Sequence, residues 1–361
     1  GLLYKWLLWA FILLVIIVFR KNVIELLKQS KNEIKNLKKL KGLELILLVI
    51  LFFFVVINLI ASLAPPFLWD EMSYNIAFPK IYARHHGFVN FFDNWRAFFP
   101  FNINMLFTIG MVLKNGILGK MFMYAYGTLL AVAIFTFTSR FFSRKAALLA
   151  SLAYYTMPMV SSHIGSAYID MAVAFYVFLA FYCIVLWIET SKNSWFVLSA
   201  IMSGLSIASK HTALFYLSLL ALAIVYKSLF LDKNFTDFIK KSVIFFIIVF
   251  ALASPWYMRS YIATNNPVWP FTPNVFESKW ISTKNADGTA IFLHSTCKPG
   301  KEIWLESVGK LSDGLRACKY KGKSGYMNDD GEWVLKPIFD NALDNSNGYL
   351  RVKYKGKWGV L

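Results

Sequence analysis

Charged residues are scarce in this 361-residue chain, and their scarcity excludes an ordinary soluble domain. Asp, Glu, Lys and Arg together make up 16% of the sequence, whereas soluble domains carry about 25%. Hydrophobic residues make up 57%, including 34 Phe and 12 Trp. One globular core of this length has no place for so many apolar rings, so the composition predicts a membrane protein.

Motifs for nucleic-acid binding are also lacking. The net charge is +18, but no basic motif interleaved with aromatic residues accompanies it. We therefore interpret the charge as an orientation signal and a contact with anionic membrane lipid, and we expect no nucleic-acid partner.

Cysteine is rare, with three in the chain. Cys183 lies in an apolar run and is predicted to be a small packing residue. Cys297 and Cys318 lie in the polar C-terminal part, where two interpretations stay open: a disulfide or two free thiols.

Long apolar runs are what the chain does contain. A helix rising about 1.5 Å per residue needs about 20 apolar residues to cross the hydrocarbon core. The runs therefore predict an all-α polytopic fold with about eight spans. Residues 1–19 lack the basic start and cleavage site of a signal peptide, so they too are predicted to span. The runs are 1–19, 43–64, 119–139, 146–163, 168–188, 194–209, 211–230 and 242–258.

Lys and Arg in the loops predict the orientation of these spans. If 43–64 runs outward from the cytoplasm, the cytoplasmic loops hold 15 Lys/Arg in 45 residues and the opposite loops hold 5 in 61. Positive charge concentrates on the cytoplasmic side of membrane proteins. The loop at 65–118, rich in aromatic residues, is then predicted to lie at the outer interface as short amphipathic helices.

Three regions follow from this division. Residues 1–42 form a span and a basic cytoplasmic loop, 43–276 form the main membrane domain, and 277–361 form an extracytoplasmic soluble module. The last region is rich in Lys, Gly, Asp and Ser and contains no span.

An internal repeat with an offset of 34 residues occupies about 309–361. Apolar and polar residues alternate around glycine-containing turns, which predicts β-hairpins. The segment resembles WG-type repeats through Trp358-Gly359, with Ser324 at the Trp position of the first copy. Because the chain lacks an initiator Met and stops inside the second copy, we expect a longer protein.

Two adjacent carboxylates, Asp70 and Glu71, follow the run 43–64 among aromatic residues. A carboxylate in such surroundings suits a general base that takes a proton from a hydroxyl nucleophile. The structural alternative is that Asp70 caps a helix that begins at Glu71. Asp170 opens another span on the same predicted membrane face.

Basic residues are predicted on the same face. They are Lys80, Arg84, Lys210 and Arg259. A basic residue at the edge of a span can be a snorkelling anchor. A cavity that holds a phosphate group would explain the acids and the bases together.

These residues lie in motifs that resemble bacterial membrane glycosyltransferases of the GT-C fold. The resemblance covers about 43–276 and is strongest to the family 39-like, phospholipid-carrier-dependent transferases, relatives of protein O-mannosyltransferases and of the aminoarabinose transferase acting on lipid A. Asn75 departs from the pattern, since many relatives have His there. The motifs are Pro65-Pro66, Trp69-Asp70-Glu71, Tyr74-Asn75, Pro79-Lys80, Pro100, Met105-Leu106, Ala167-Tyr168-Ile169-Asp170, Ser209-Lys210-His211-Thr212, Pro255-Trp256-Tyr257 and Asn266-Pro267-Val268-Trp269-Pro270.

The resemblance implies an inverting transfer of a sugar from a polyprenyl-phosphate donor to a protein, lipid or glycan acceptor at the outer face of the bacterial cytoplasmic membrane. It implies catalytic roles for Asp70, Glu71 and Asp170, with Asp70 as the base. Lys80 and Lys210 match positions expected near the donor phosphate, and Arg259 does so more loosely. With Arg84, these residues make up the predicted phosphate-binding set. A divalent ion such as Mg²⁺ or Mn²⁺, if one is used, would be held by Asp70 and Asp170.

Two other function classes compete with this interpretation. A transporter or flippase of lipid-linked sugars would need polar residues or broken spans at the membrane midplane, whereas the charges here cluster at one interface. A membrane-anchored module that displays the WG-like repeats would need one span rather than eight.

Overall fold

The computed structural model is helical as far as residue 264 and rich in β-strands beyond it. The residues that it describes are 1–37, 40–89, 95–272, 275–276, 280–284, 290–294, 307–309, 314–328, 333–343 and 349–361. Contacts divide the chain into two compact units, Gly1–Val89 with Phe99–Tyr257 and Asn90–Phe98 with Met258–Leu361. The division predicted after residues 42 and 276 stays a prediction.

The apolar runs of the sequence form most of the helices. The helices are α1 (Lys5–Val18), α2 (Arg20–Leu37), α3 (Leu43–Ser62), α4 (Ala77–His85), α5 (Asn102–Leu113), α6 (Gly116–Phe141), α7 (Arg144–Thr156), α8 (Pro158–Ile164), α9 (Asp170–Thr190), α10 (Asn193–Ile207), α11 (Leu214–Val225) and α12 (Phe235–Thr264). Short polar side chains begin two of them, because Asn115 and Ser143 accept backbone N–H groups at the starts of α6 and α7.

Five segments among the described residues are long and apolar enough to cross a membrane, or six if the bent pair α1–α2 counts as one span. They are α3, α6, α9, the segment His211–Leu231 around α11, and α12. These helices are compatible with a multi-pass membrane protein. The prediction of about eight spans was wrong.

Length explains the difference. Pro158 splits the run 146–163 into helices of 13 and 7 residues, because proline lacks an N–H and holds Met157 in an extended conformation with ψ 125°. Helix α10 has 15 residues and therefore rises only about 22 Å. Helix α1 has 14 residues and meets α2 at a bend of 70°.

The first unit is a bundle whose helices run back and forth between two polar ends. At one end, called the site end, Asp70 follows α3 and Lys210 follows α10. Tyr168 and Asp170 lie at the same end, where α9 begins. The far end is marked by Arg140 and Glu189, whose side chains pair at 3.0 Å where α6 and α9 finish. The loop carrying Asp70 and the starts of α6 and α9 therefore lie at the same end.

Helices α5 and α6 approach each other very closely near the site end. A Cβ atom on Gly110 would lie 2.6 Å from the backbone nitrogen of Gly119, so the crossing requires a residue without a side chain. Beside it, the core contains Ile103, Phe107 and Met123. This packing fixes α5 next to the loop that follows α3.

The C-terminal unit contains antiparallel strands. The strands are β1 (Trp280–Lys284), β2 (Ala290–His294), β3 (Ser307–Val308), β4 (Leu315–Tyr320), β5 (Lys323–Asn328), β6 (Trp333–Phe339), β7 (Asn341–Ala342), β8 (Arg351–Tyr354) and β9 (Lys357–Val360). They pair in the orders β1-β2, β3-β4-β5-β6 and β7-β8-β9.

The two copies of the sequence repeat form matching hairpins, as predicted. Lys321-Gly322 connects β4 to β5 with φ values of 48° and 75°, and Lys355-Gly356 connects β8 to β9 with 47° and 78°. Two successive positive φ values are typical of the type I′ turn that suits a two-residue hairpin. Glycine suits the second position of each turn because it adopts a positive φ without steric cost.

Asp340 connects the two copies. Its carboxylate accepts a hydrogen bond from Lys323 Nζ at 2.7 Å in the first copy and from the backbone N–H of Gly356 at 3.0 Å in the second. These two hydrogen bonds, that of Lys323 foremost, hold the pKa of Asp340 below its usual value. The charged carboxylate therefore links the two turns.

Cys318 is a buried free thiol in β4, and burial raises its pKa to about 12. The structure therefore favours the free-thiol interpretation at this position. Cys297 lies outside the described residues.

Candidate functional site

The loop that follows α3 carries the candidate site. Pro65 and Pro66 prevent the helix from continuing, and the chain turns back through a π-helical segment, Glu71–Asn75, into α4. π-Helical turns are rare and recur at functional sites. Asp70 stands directly before this turn.

Glu71 is completely buried, with 0% of its surface exposed. One carboxylate oxygen accepts the backbone N–H groups of Phe67 and Leu68, both at 2.9 Å. The other accepts the N–H of Ala167 at 2.5 Å, 96 residues further along the chain. Glu71 therefore binds the loop after α3 to the loop before α9.

A buried lysine lies beneath this loop. Lys120, in the second turn of α6, is 1% exposed, and its Nζ donates to the backbone oxygen of Ala64 at 2.8 Å. Its ammonium group also interacts electrostatically with the Glu71 carboxylate. A buried charge requires hydrogen-bond partners, and Lys120 finds one in Ala64, at the start of the loop that carries Glu71.

Asp70 differs from its neighbour. It is half-buried, and its side chain makes no capping hydrogen bond to the turn that it precedes. The alternative interpretation of Asp70 as a helix cap was therefore wrong. Its Oδ2 accepts a hydrogen bond from the Tyr74 hydroxyl at 3.3 Å, which leaves acceptor capacity on a carboxylate that has two oxygens.

Tyr168 shows that the acids share one neighbourhood. Burial raises the pKa of the Tyr168 phenol, and the negative charges of Asp70, Glu71 and Asp170 raise it further. These three carboxylates come from two loops separated by about a hundred residues. The phenol therefore stays protonated among them, in a region of negative potential.

Asp170 forms an ion pair with Lys210. The Lys210 Nζ lies 2.6 Å from Asp170 Oδ1, and the two side chains are 38% and 40% exposed. Asp170 begins α9, where a negative charge suits the helix dipole, and Lys210 follows α10. The pair is open to the surroundings, so an anion has access to the lysine.

Buried amides support the site from α5. Asn104 Nδ2 donates to Asn75 Oδ1 at 2.8 Å, and both side chains are buried. Asn102 Nδ2 lies 3.5 Å from Ser209 Oγ, next to Lys210. Asn75, which stands where many GT-C relatives have His, thus positions the π-helical turn through a hydrogen bond.

The other predicted basic residues belong to α4 and to the second unit. Lys80 and Arg84 are exposed on α4, one helical turn apart. Arg259 belongs to the second unit, where its guanidinium donates to the Ala97 oxygen at 2.8 Å and lies 5.6 Å from the centre of the Phe98 ring. Their predicted role in binding a phosphate stays a prediction.

Within the described part of the chain, no three His, Cys, Asp or Glu side chains form a group that could hold a metal ion. The carboxylates around Tyr168 therefore do not make up such a ligand set.

Two residues of the site were missed in the sequence. Lys120 could have been found as a lone cation at the start of the apolar run 119–139, since an ionisable residue inside a span needs a partner. Tyr168 lies in the motif Ala167-Tyr168-Ile169-Asp170, but a tyrosine beside a span is too common to indicate a role. Its importance comes from the loops that the fold brings around it.

Comparisons with known proteins give two matches. A family model described as Domain of unknown function (DUF8201) matches residues 1–288. A second model, described as WG containing repeat, matches residues 325–358, which confirms the predicted repeat. Among curated proteins, none matches the chain.

Proposed function

The chain belongs to the family described as Domain of unknown function (DUF8201), and we propose that its membrane part is an inverting glycosyltransferase. The donor is a sugar linked to polyprenyl phosphate, and the acceptor is a hydroxyl group on a protein, lipid or glycan. The observation that supports this most strongly is that Glu71 joins the loop carrying Asp70 to the loop that precedes Asp170, and Asp170 in turn is paired with Lys210. The charges of all three acids also act on the Tyr168 phenol.

Asp70 is the general base of this proposal. Its carboxylate accepts one hydrogen bond from Tyr74 and has capacity to accept a proton from the acceptor hydroxyl. As that proton moves to Asp70, the hydroxyl oxygen forms a bond to the anomeric carbon. The bond between the anomeric carbon and the phosphate oxygen breaks, and its electron pair leaves with the lipid phosphate.

The negative potential around Tyr168 suits this transfer. Sugars acquire positive charge in an oxocarbenium-like transition state, and fixed negative charge nearby stabilises it more than the neutral ground state. Asp170 contributes to that potential and holds Lys210 in place. Glu71 is a positioning residue in this scheme, because both of its oxygens already accept backbone N–H groups.

The leaving phosphate needs a cation. Lys210 is the best placed, since its ion pair with Asp170 is open to solvent and a phosphate dianion competes well for an ammonium group. Lys80, Arg84 and Arg259 are further phosphate-binding candidates. The apolar helices are compatible with a multi-pass membrane protein, and in this proposal the transfer takes place at the surface of the bacterial cytoplasmic membrane.

The proposal is tested by assaying the full chain in phospholipid vesicles. A panel of polyprenyl phosphates carrying pentoses or hexoses is supplied with membrane extract as the source of acceptor. Release of polyprenyl phosphate, measured by mass spectrometry, is expected for at least one donor. Absence of release across the panel, from a chain that remains monodisperse, contradicts the proposal.

Lys210→Gln is expected to weaken use of the donor. Loss of a charge-assisted hydrogen bond to phosphate should raise the KM for the donor about 10- to 100-fold, with a smaller change in kcat. Lys210→Arg keeps the charge and should recover part of the loss. Lys114→Gln, which removes a lysine from the exposed turn after α5, is the control and should leave KM unchanged.

A second candidate is a membrane-anchored module that displays the WG repeat. The match to the repeat family and the half-exposed Trp358 and Tyr354 favour it. It predicts that a chain with an inactive membrane part still binds its partner through residues 277–361.

A further inference from the structure

An apolar crevice opens between α3, α6 and α7. Its volume is about 190 Å³, and its walls include Leu51 and Val55 from α3, Ala131 and Phe135 from α6, and Leu148 from α7. Apolar cavities of about 150 Å³ stay free of water and take up apolar guests. The crevice therefore suits a hydrocarbon chain, while a whole helix, about 10 Å wide, is too large for it.

Among the residues that the structure describes, one charged side chain lines this crevice. Arg144, the first residue of α7, is half-buried there. Among the described residues it has no ion-pair partner, in contrast to Arg140 nearby, whose charge is matched by Glu189. A cation beside an apolar crevice is complementary to an amphiphile with a negative head group.

The crevice is separate from the candidate site. Leu40 lines it just before α3 begins, and Asp70 follows the opposite end of the same helix. The lining residues of α3 extend from Leu48 to Val55, around the middle of that helix, and those of α6 extend from Thr128 to Phe135, from the middle of that helix toward the far end. An occupant with its head group at Arg144 is therefore not the substrate of the proposed transfer.

We propose that this crevice binds an anionic membrane phospholipid. One acyl chain lies between α3, α6 and α7, and the phosphate receives a charge-assisted hydrogen bond from Arg144. A zwitterionic lipid offers the same chain and phosphate, but its cationic group opposes the arginine. The site therefore prefers phosphatidylglycerol to phosphatidylcholine with the same chains.

Native mass spectrometry of the delipidated full chain in detergent tests the proposal. Wild-type protein is expected to retain phosphatidylglycerol at least about tenfold better than phosphatidylcholine, and Arg144→Gln is expected to lose that preference. Lys145→Gln, which removes the exposed charge next to it, is the matched control and should keep the preference.

A second pair of variants tests the crevice itself. Val132 lines the opening and is 55% exposed, so Val132→Trp fills the crevice without disturbing the core and should reduce retention of both lipids. Leu129→Trp, at a similarly exposed position of α6 that does not line the crevice, should not. Equal retention of the two lipids by wild type, or equal losses in the Arg144 and Lys145 variants, overturns the proposal.

Discussion

Asp70→Asn is expected to lower the rate of sugar transfer about 10²- to 10⁴-fold, which is the usual contribution of a general base. The substitution keeps the size of the side chain and its ability to accept the Tyr74 hydrogen bond. It removes the ability to take up a proton at neutral pH. Release of polyprenyl phosphate from the preferred donor, at saturating donor and acceptor, is the measurement.

Two controls make this result specific. Glu44→Gln changes a carboxylate in the first turn of α3, at the opposite end of the helix from Asp70, and should leave the rate unchanged. Because Asp70 caps no helix, Asp70→Asn should also elute from a sizing column as wild type does. Turnover within about twofold of wild type would remove Asp70 from the role of base.

The helices of this chain were largely predictable, and the exceptions have physical causes. A long apolar run is enough to predict α3, α6, α9, the segment around α11, and α12. Composition does not show where a helix is interrupted. The run 146–163 was therefore predicted as one span, whereas Pro158 divides it into two short helices. Helix α10 is apolar, but with 15 residues it is shorter than the membrane is thick.

The candidate site was predictable as a set of residues but not as an arrangement. The sequence places Asp70 and Asp170 at the edges of spans, and a shared membrane face follows from the Lys and Arg of the loops. The hydrogen bond between Ala167 and Glu71 is donated by a backbone N–H, a group that every non-proline residue has. No sequence pattern could have indicated that particular donor.

The repeat module was predictable because its signal is local. The hairpin turns at Lys321-Gly322 and Lys355-Gly356 follow from two adjacent residues in each copy. The bridge through Asp340, in contrast, joins a side chain in one copy to a backbone N–H in the other. Local patterns thus gave the strands, while the contact between copies required the structure.

Glu71→Gln is expected to destabilise the chain by about 2–3 kcal/mol, the cost of leaving a buried hydrogen-bond donor without its acceptor. Three backbone N–H groups point at the two carboxylate oxygens. An amide has one oxygen, so its NH₂ must face at least one of these donors, and Lys120 also loses its negative partner. Reversible unfolding in mixed micelles measures the change.

The matched control is Glu189→Gln at the far end. Glu189 also has a cationic partner, but its side chain is 46% exposed, so the expected loss is about 0–1 kcal/mol. Combining Glu71→Gln with Lys120→Met separates the two causes: the double variant recovers stability if the unpaired lysine dominates, and stays as unstable if the backbone donors dominate. A loss for Glu71→Gln as small as that of the control would mean that the loop carrying Asp70 is not held by this carboxylate, and the proposed position of the base would lose its structural support.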